Sequence, residues 1–132
     1  MKRHLSIGLV IFTLLLLSGQ AFSANVATKT GNTVSVVLDG SANFDLYSVT
    51  GVPPQVYLMA IVFKSSAAND KIQVRNGSAS GAIIWPANVD VLGGGQVVYY
   101  DKVFLDPYIV AAECTLGTPA NAVVTFVYSD VK

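Results

Sequence analysis

Residues 56–63 read Val-Tyr-Leu-Met-Ala-Ile-Val-Phe, an unbroken apolar run of eight in a chain otherwise cut up by turn residues. Pro53-Pro54 precedes the run and Lys64-Ser65-Ser66 follows it. Eight residues are too few to cross a bilayer, which takes about 20. They are also too few, and too tightly bounded, for an ordinary helix, while Val, Tyr, Ile and Phe favour a pleated strand. The run is expected to be a strand buried on both faces. Burying such side chains contributes about 1.5–3 kcal/mol each before the entropy of ordering them is subtracted. It therefore marks the centre of the core and an interior position in a sheet.

The rest of the chain is organised as short strands. Val26–Thr30 and Thr33–Leu38 are strands divided by Gly31-Asn32, and Asp39-Gly40 is a strong hairpin signal. Residues 44–49 alternate, and Gly51 to Pro54 break the chain. Residues 71–75 have period two, with Ile72 and Val74 inward and Lys71, Gln73 and Arg75 outward. Residues 82–85 form a short strand that ends at Pro86, and Gly93-Gly94-Gly95 permits a hairpin or bulge. Residues 96–100 are a strand with a turn at Asp101-Lys102, and 103–105 and 108–113 flank Asp106-Pro107. Residues 121–128 close the domain. Residues 65–71 are the one helix-like stretch, and they are too short to stand as a helix. About eight to nine strands with turn signals every eight to twelve residues imply an all-β fold. The expected form is a single antiparallel β-sandwich or jelly-roll-like domain.

The N-terminus has another character. Met1-Lys2-Arg3-His4 is basic, residues 5–17 are mostly apolar, and small residues follow. This is the pattern of a secretory signal peptide over residues 1–23, cleaved after Ser23 or after Ala21, with the domain occupying 24–132. An apolar stretch of that length is short for a membrane anchor, so no membrane insertion is expected after cleavage. The implied location is secreted, periplasmic or cell-surface.

Residues 24–132 carry eight acids and six bases, a net charge of −2. Nothing in that balance neutralises phosphates, so nucleic acid is not an expected partner. Charged residues make up 12% of the chain, about half the usual share. A surface so poor in charge is disposed to touch another protein.

Chemistry is constrained mainly by what is missing. The single histidine, His4, lies in the signal segment. The domain thus has no imidazole for a catalytic triad or for a histidine-bound metal, and no cofactor or metal site is expected. The single cysteine, Cys114, has no intrachain partner. It is either buried among its small apolar neighbours or available for an intermolecular bond. Asp90, Asp101 and Asp106 lie near strand ends, where aspartate also serves its own backbone. Asn76-Gly77-Ser78 fits a glycosylation sequon, but an Asn-Gly turn is sufficient to account for it.

The leading expectation is a non-enzymatic exported protein acting by protein–protein contact, as a subunit of a surface or extracellular assembly and potentially a homo-oligomer. Cys114 and the β-branched strand bearing Val34 and Val36 are its contact candidates. The alternative is a carbohydrate- or small-ligand-binding module that stacks a ring on Trp85, Tyr99 and Tyr100. Adjacent Tyr99 and Tyr100 must point to opposite faces of a strand.

Overall fold

The computed structural model describes residues 25–40, 42–117 and 120–130. The expected signal segment lies outside them. The described chain contains nine strands and two single turns of 3-10 helix. The strands are β1 (Val26–Thr30), β2 (Thr33–Leu38), β3 (Phe44–Asp45), β4 (Val56–Lys64), β5 (Asp70–Asn76), β6 (Ile83–Val89), β7 (Gly95–Phe104), β8 (Pro107–Ile109) and β9 (Ala122–Asp130). They form two antiparallel sheets, of order β1-β2-β9-β4-β7 and β3-β8-β5-β6.

The pairing is nested. β2 pairs with β9, β3 with β8, β4 with β7 and β5 with β6. Only β1 and β2 make a tight hairpin at the start: Thr30 faces Thr33 across Gly31-Asn32. Gly31 there adopts φ +55°, the sign demanded at the first central residue of a two-residue hairpin of type II′.

Each sheet turns one face into a shared core. In β9 the alternation is clean: Ala122, Val124, Phe126 and Tyr128 are buried while the residues between them are partly open. Val34, Val36 and Leu38 of β2 join them from the same sheet, and Ile72, Val74, Ala87, Val89 and Ile109 come from the other. The Phe44 and Phe126 rings, stacked with centroids 6.3 Å apart, join the two layers.

The central run departs from expectation in one respect. β4 does sit inside its sheet, between β9 and β7. Val56, Leu58, Ile61 and Phe63 are buried, but Tyr57 and Val62 are only half-buried and Met59 is exposed. The strand is covered on one face. Its apolar run is unbroken because its outward positions are apolar too, and because the register shifts at Met59. An extra residue at such a bulge flips the alternation.

Other expectations are corrected by tertiary context. Asp39-Gly40 and Gly93-Gly94-Gly95 do not close hairpins. Each carries the chain from one sheet to the other, from β2 to β3 and from β6 to β7. Residues 44–49 are a strand for two positions only; Asp45 then caps the 3-10 turn Leu46–Ser48 by accepting from the Tyr47 N–H at 2.8 Å. β6 runs through Pro86 instead of ending there. A proline is tolerated because β6 is the edge of its sheet, where one side of the backbone has no ladder. The turn expected at Asp101-Lys102 is absent. β7 continues to Phe104, held by its pairing with Tyr57 and Leu58 of β4 and by Lys102 lying 5.2 Å over the Phe104 ring. Residues 108–113 divide into the end of β8 and the 3-10 turn Ala111–Glu113.

Candidate functional site

The side of the five-stranded sheet turned away from the core has an unusual composition. The cross-strand register aligns its outward residues in rows. One row is Val26, Val37, Val123 and Lys64; the next is Thr28, Ser35, Thr125, Val62 and Val97; the third is Thr30, Thr33, Val127, Ala60 and Tyr99. Beyond these lie Ser129, Tyr57 and Val103. Among the described residues the charged side chains on this face are Lys64, at one end of β4, and Asp101, near the other end on β7. Tyr99 is 79% exposed, and Val97 and Met59 are each 49% exposed. A shallow depression of about 550 Å³ runs between them, floored by Ala60, Val62 and Val127.

The polar groups of this face are organised. Ser35 and Thr125 share a hydroxyl–hydroxyl hydrogen bond of 2.9 Å across β2 and β9. The Tyr57 hydroxyl donates to Asp101 Oδ1. That bond, more than burial or the carboxylate's charge, holds the Tyr57 phenol above its ordinary range. The pair fixes the Tyr57 ring against β7 and gives the negative end of the face a defined position.

The residues singled out from sequence are distributed differently. Val34 and Val36 are fully enclosed in the core, which corrects their candidacy as contact residues. Strand periodicity places Thr33, Ser35 and Val37, one position away, on the open face. Cys114 is half-buried, and its Sγ donates to the Val110 carbonyl oxygen at 3.2 Å. Burial pushes its thiol up from the ordinary range, against a weaker opposing contribution from the Gln73 backbone. It therefore rests as a protonated thiol, not as a reactive thiolate.

Trp85 pairs with Val74 and packs partly against the core. Tyr100 points inward and donates from its hydroxyl to the Ile84 carbonyl oxygen at 2.9 Å, with its ring edge-on to Phe104 at 5.2 Å. Tyr99 points outward. Trp85, Tyr99 and Tyr100 thus do not line one surface. Of the residues that do share one (Tyr57, Met59, Val62, Val97, Tyr99 and Val127), Tyr99 alone was singled out from the sequence. The signal for Tyr57, Met59 and Val62 was the run of residues 56–63 itself, in which inward and outward positions are equally apolar.

Two acidic arrangements lie elsewhere. Asp70 is 1% exposed. Its carboxylate accepts from the Ser66 and Ala67 backbone N–H groups, from the Ser66 hydroxyl and from the Gly117 N–H. Asp45 and Asp106 meet beside a groove of about 730 Å³ between β1 and β3, where Lys29 and Asn43 also lie. The Tyr47 N–H is shared between them, at 2.8 Å to Asp45 Oδ1 and 3.1 Å to Asp106 Oδ1. Burial, then hydrogen bonding to Asp45 and its charge, push Asp106 up to about 7. On the surface Arg75 grips Glu113 through two nitrogens, the shorter contact being 2.8 Å.

Among the described residues no three His, Cys, Asp or Glu side chains cluster as a metal site would require. Comparison with protein-family models, with curated proteins and with solved structures gave no match.

Proposed function

We propose that this chain is an exported, non-enzymatic β-sandwich of jelly-roll topology that works by protein–protein contact through the outer face of its five-stranded sheet. The observation that carries the reading is that face: seventeen aligned positions across five strands present valine, threonine, serine, alanine, tyrosine and a single lysine, with a lone aspartate between rows. Antiparallel sheets that leave one side to water alternate polar with apolar residues; here ten of the seventeen solvent-side positions are valine, alanine or tyrosine. A contiguous apolar patch of this kind marks an interaction surface.

The topology reading is supported by the nested pairing of β2 with β9, β3 with β8, β4 with β7 and β5 with β6. Folding one long antiparallel ribbon over itself yields this order in two sheets, as in jelly rolls. Export rests on the basic, apolar, small-residue sequence of the first 23 positions.

The test is light scattering coupled to size exclusion on residues 24–132, with negative-stain microscopy of concentrated samples. Concentration-dependent association that Val62→Lys removes supports the reading. A strictly monomeric particle at millimolar concentration, indifferent to Val62→Lys, overturns it as a self-assembling subunit.

A further inference from the structure

We infer that the occupant of this face is the same face of a second copy of the chain, packed with its strands reversed about a two-fold axis lying across the strands. The inference deepens the contact reading above and rests on it. It follows from where the two charges stand. Lys64 occupies the end of β4 that faces Gly95 and Val123. Asp101 sits toward the opposite end, hydrogen-bonded to Tyr57 at the start of the same strand. Some six ladder steps at about 3.3 Å each separate them, so the charges lie roughly 20 Å apart along the strand direction.

An isologous interface must be self-complementary, and two arrangements of the sheets achieve face-to-face contact. A two-fold axis running along the strands keeps strand direction and exchanges β4 with β2. Lys64 is then laid over the Val37 row and Asp101 over the Thr30 end of β1, which leaves two charges per copy covered by uncharged residues. An unpaired charge covered in this way is costly. A two-fold axis running across the strands lays β4 on β4 and β7 on β7, with their ends exchanged. Each Lys64 then meets the Asp101–Tyr57 end of the other copy, giving two equivalent ion pairs at the rim. The valines, Ala60 and Tyr99 close the centre, with the sheets about 10 Å apart as in aligned sheet packing. The charge pattern selects this second arrangement.

The footprint also fits a second copy. Five strands about 4.8 Å apart and six ladder steps give a flat area of roughly 500 Å². That is at the low end for a specific interface, which buries about 800 Å² per partner once surface relief is counted. The dimer is therefore a concentration-dependent one.

Sedimentation velocity on residues 24–132, from micromolar to millimolar concentration, tests the geometry with charge reversals. Lys64→Asp and Asp101→Lys are each expected to weaken dimerisation about tenfold by setting like charges against each other, and the double variant is expected to restore it. Both positions are exposed, and a thermal melt of each variant verifies the fold. Val97→Lys, midway along the edge strand β7 of this face, serves as a second probe and is expected to leave a folded monomer. Dimers or larger species that ignore both reversals overturn this geometry while leaving contact through another surface standing. A monomer at every concentration overturns the geometry and the self-assembly reading together.

Discussion

At the scale of single residues, the strongest constraints are two aspartates with opposite electrostatic situations. Burial alone would raise the Asp70 carboxyl, but hydrogen bonds from Ala67, Ser66 and Gly117 outweigh it, and the group is held below its ordinary value. A carboxyl whose folded value is depressed stabilises the fold above the unfolded value, about 3.9, and loses that contribution as pH falls through the folded value. Asp70→Ala strands three part-buried N–H groups, and a loss of about 2–4 kcal/mol is expected in urea unfolding at pH 7. Asp70→Asn keeps the shape but replaces one acceptor by a donor, and its deficit should shrink as the pH drops toward 3. Asp106 behaves oppositely. Its folded value, about 7, lies above the unfolded one, so its contribution is complete below about pH 4 and is lost as pH rises to about 7. After burial itself, the hydrogen bond and charge of Asp45 are the causes. Asp106→Asn removes this loss: the variant's melting temperature, relative to the parent, should rise between pH 4.5 and pH 8, and a flat difference would refute the raised Asp106 carboxyl. Neither role was legible in the sequence. Asp70 reads as a loop acid after Asn69, and its long-range partner Gly117 is 47 positions away. Asp106 reads as a turn residue before Pro107, and Asp45 joins it only because β3 pairs with β8.

At the scale of elements, β4 shows how a correct assignment can conceal a surface. The strand and its interior position in the sheet were legible, because eight apolar residues between Pro54 and Lys64 leave few other solutions. Which face met water was not, because the usual cue, polar residues at every second position, is absent from residues 56–63 and is reset by the bulge at Met59. Adjacent substitutions separate the two faces. Ile61 is fully buried, and Ile61→Ala is expected to cost about 2–4 kcal/mol through the cavity it leaves. Val62 is half-buried on the open side, and Val62→Ala should cost less than about 1 kcal/mol in dilute solution, as surface substitutions do. If the face is covered at high concentration, the Val62→Ala deficit must grow with concentration while that of Ile61→Ala stays fixed. Chemical denaturation at two protein concentrations reads this directly. β7 teaches the complementary lesson: Asp101-Lys102 has the local chemistry of a turn, yet pairing with Tyr57 and Leu58 on β4 carries a ten-residue strand through it.

At the scale of the whole molecule, the nested ladder makes the two ends of the described chain interdependent. β9, last in sequence, lies between β2 and β4 in the middle of its sheet, and the Ser35–Thr125 hydroxyl bond spans 90 positions. The number of strands and their short lengths could be read from turn spacing, but the order in which they pair depends on contacts so distant in sequence that no local pattern encodes it. The same distance governs folding. Loop-closure entropy is lost before the long-range pairs return any stability, so refolding is expected on the millisecond-to-second scale of all-β domains. Removing residues 121–132 takes away β9 and with it Val124, Phe126 and Tyr128, and leaves the facing edges of β2 and β4 without a ladder. That truncation is expected to abolish the cooperative melt and the ordered environment of Trp85. Removing β1 is the control. All five of its residues are exposed and it pairs on one side only, so its loss should shift the melting temperature while the transition stays cooperative. A cooperatively melting chain without β9, or an unfolded one without β1, would show that the core does not close between the first and last long strands of the nested ladder.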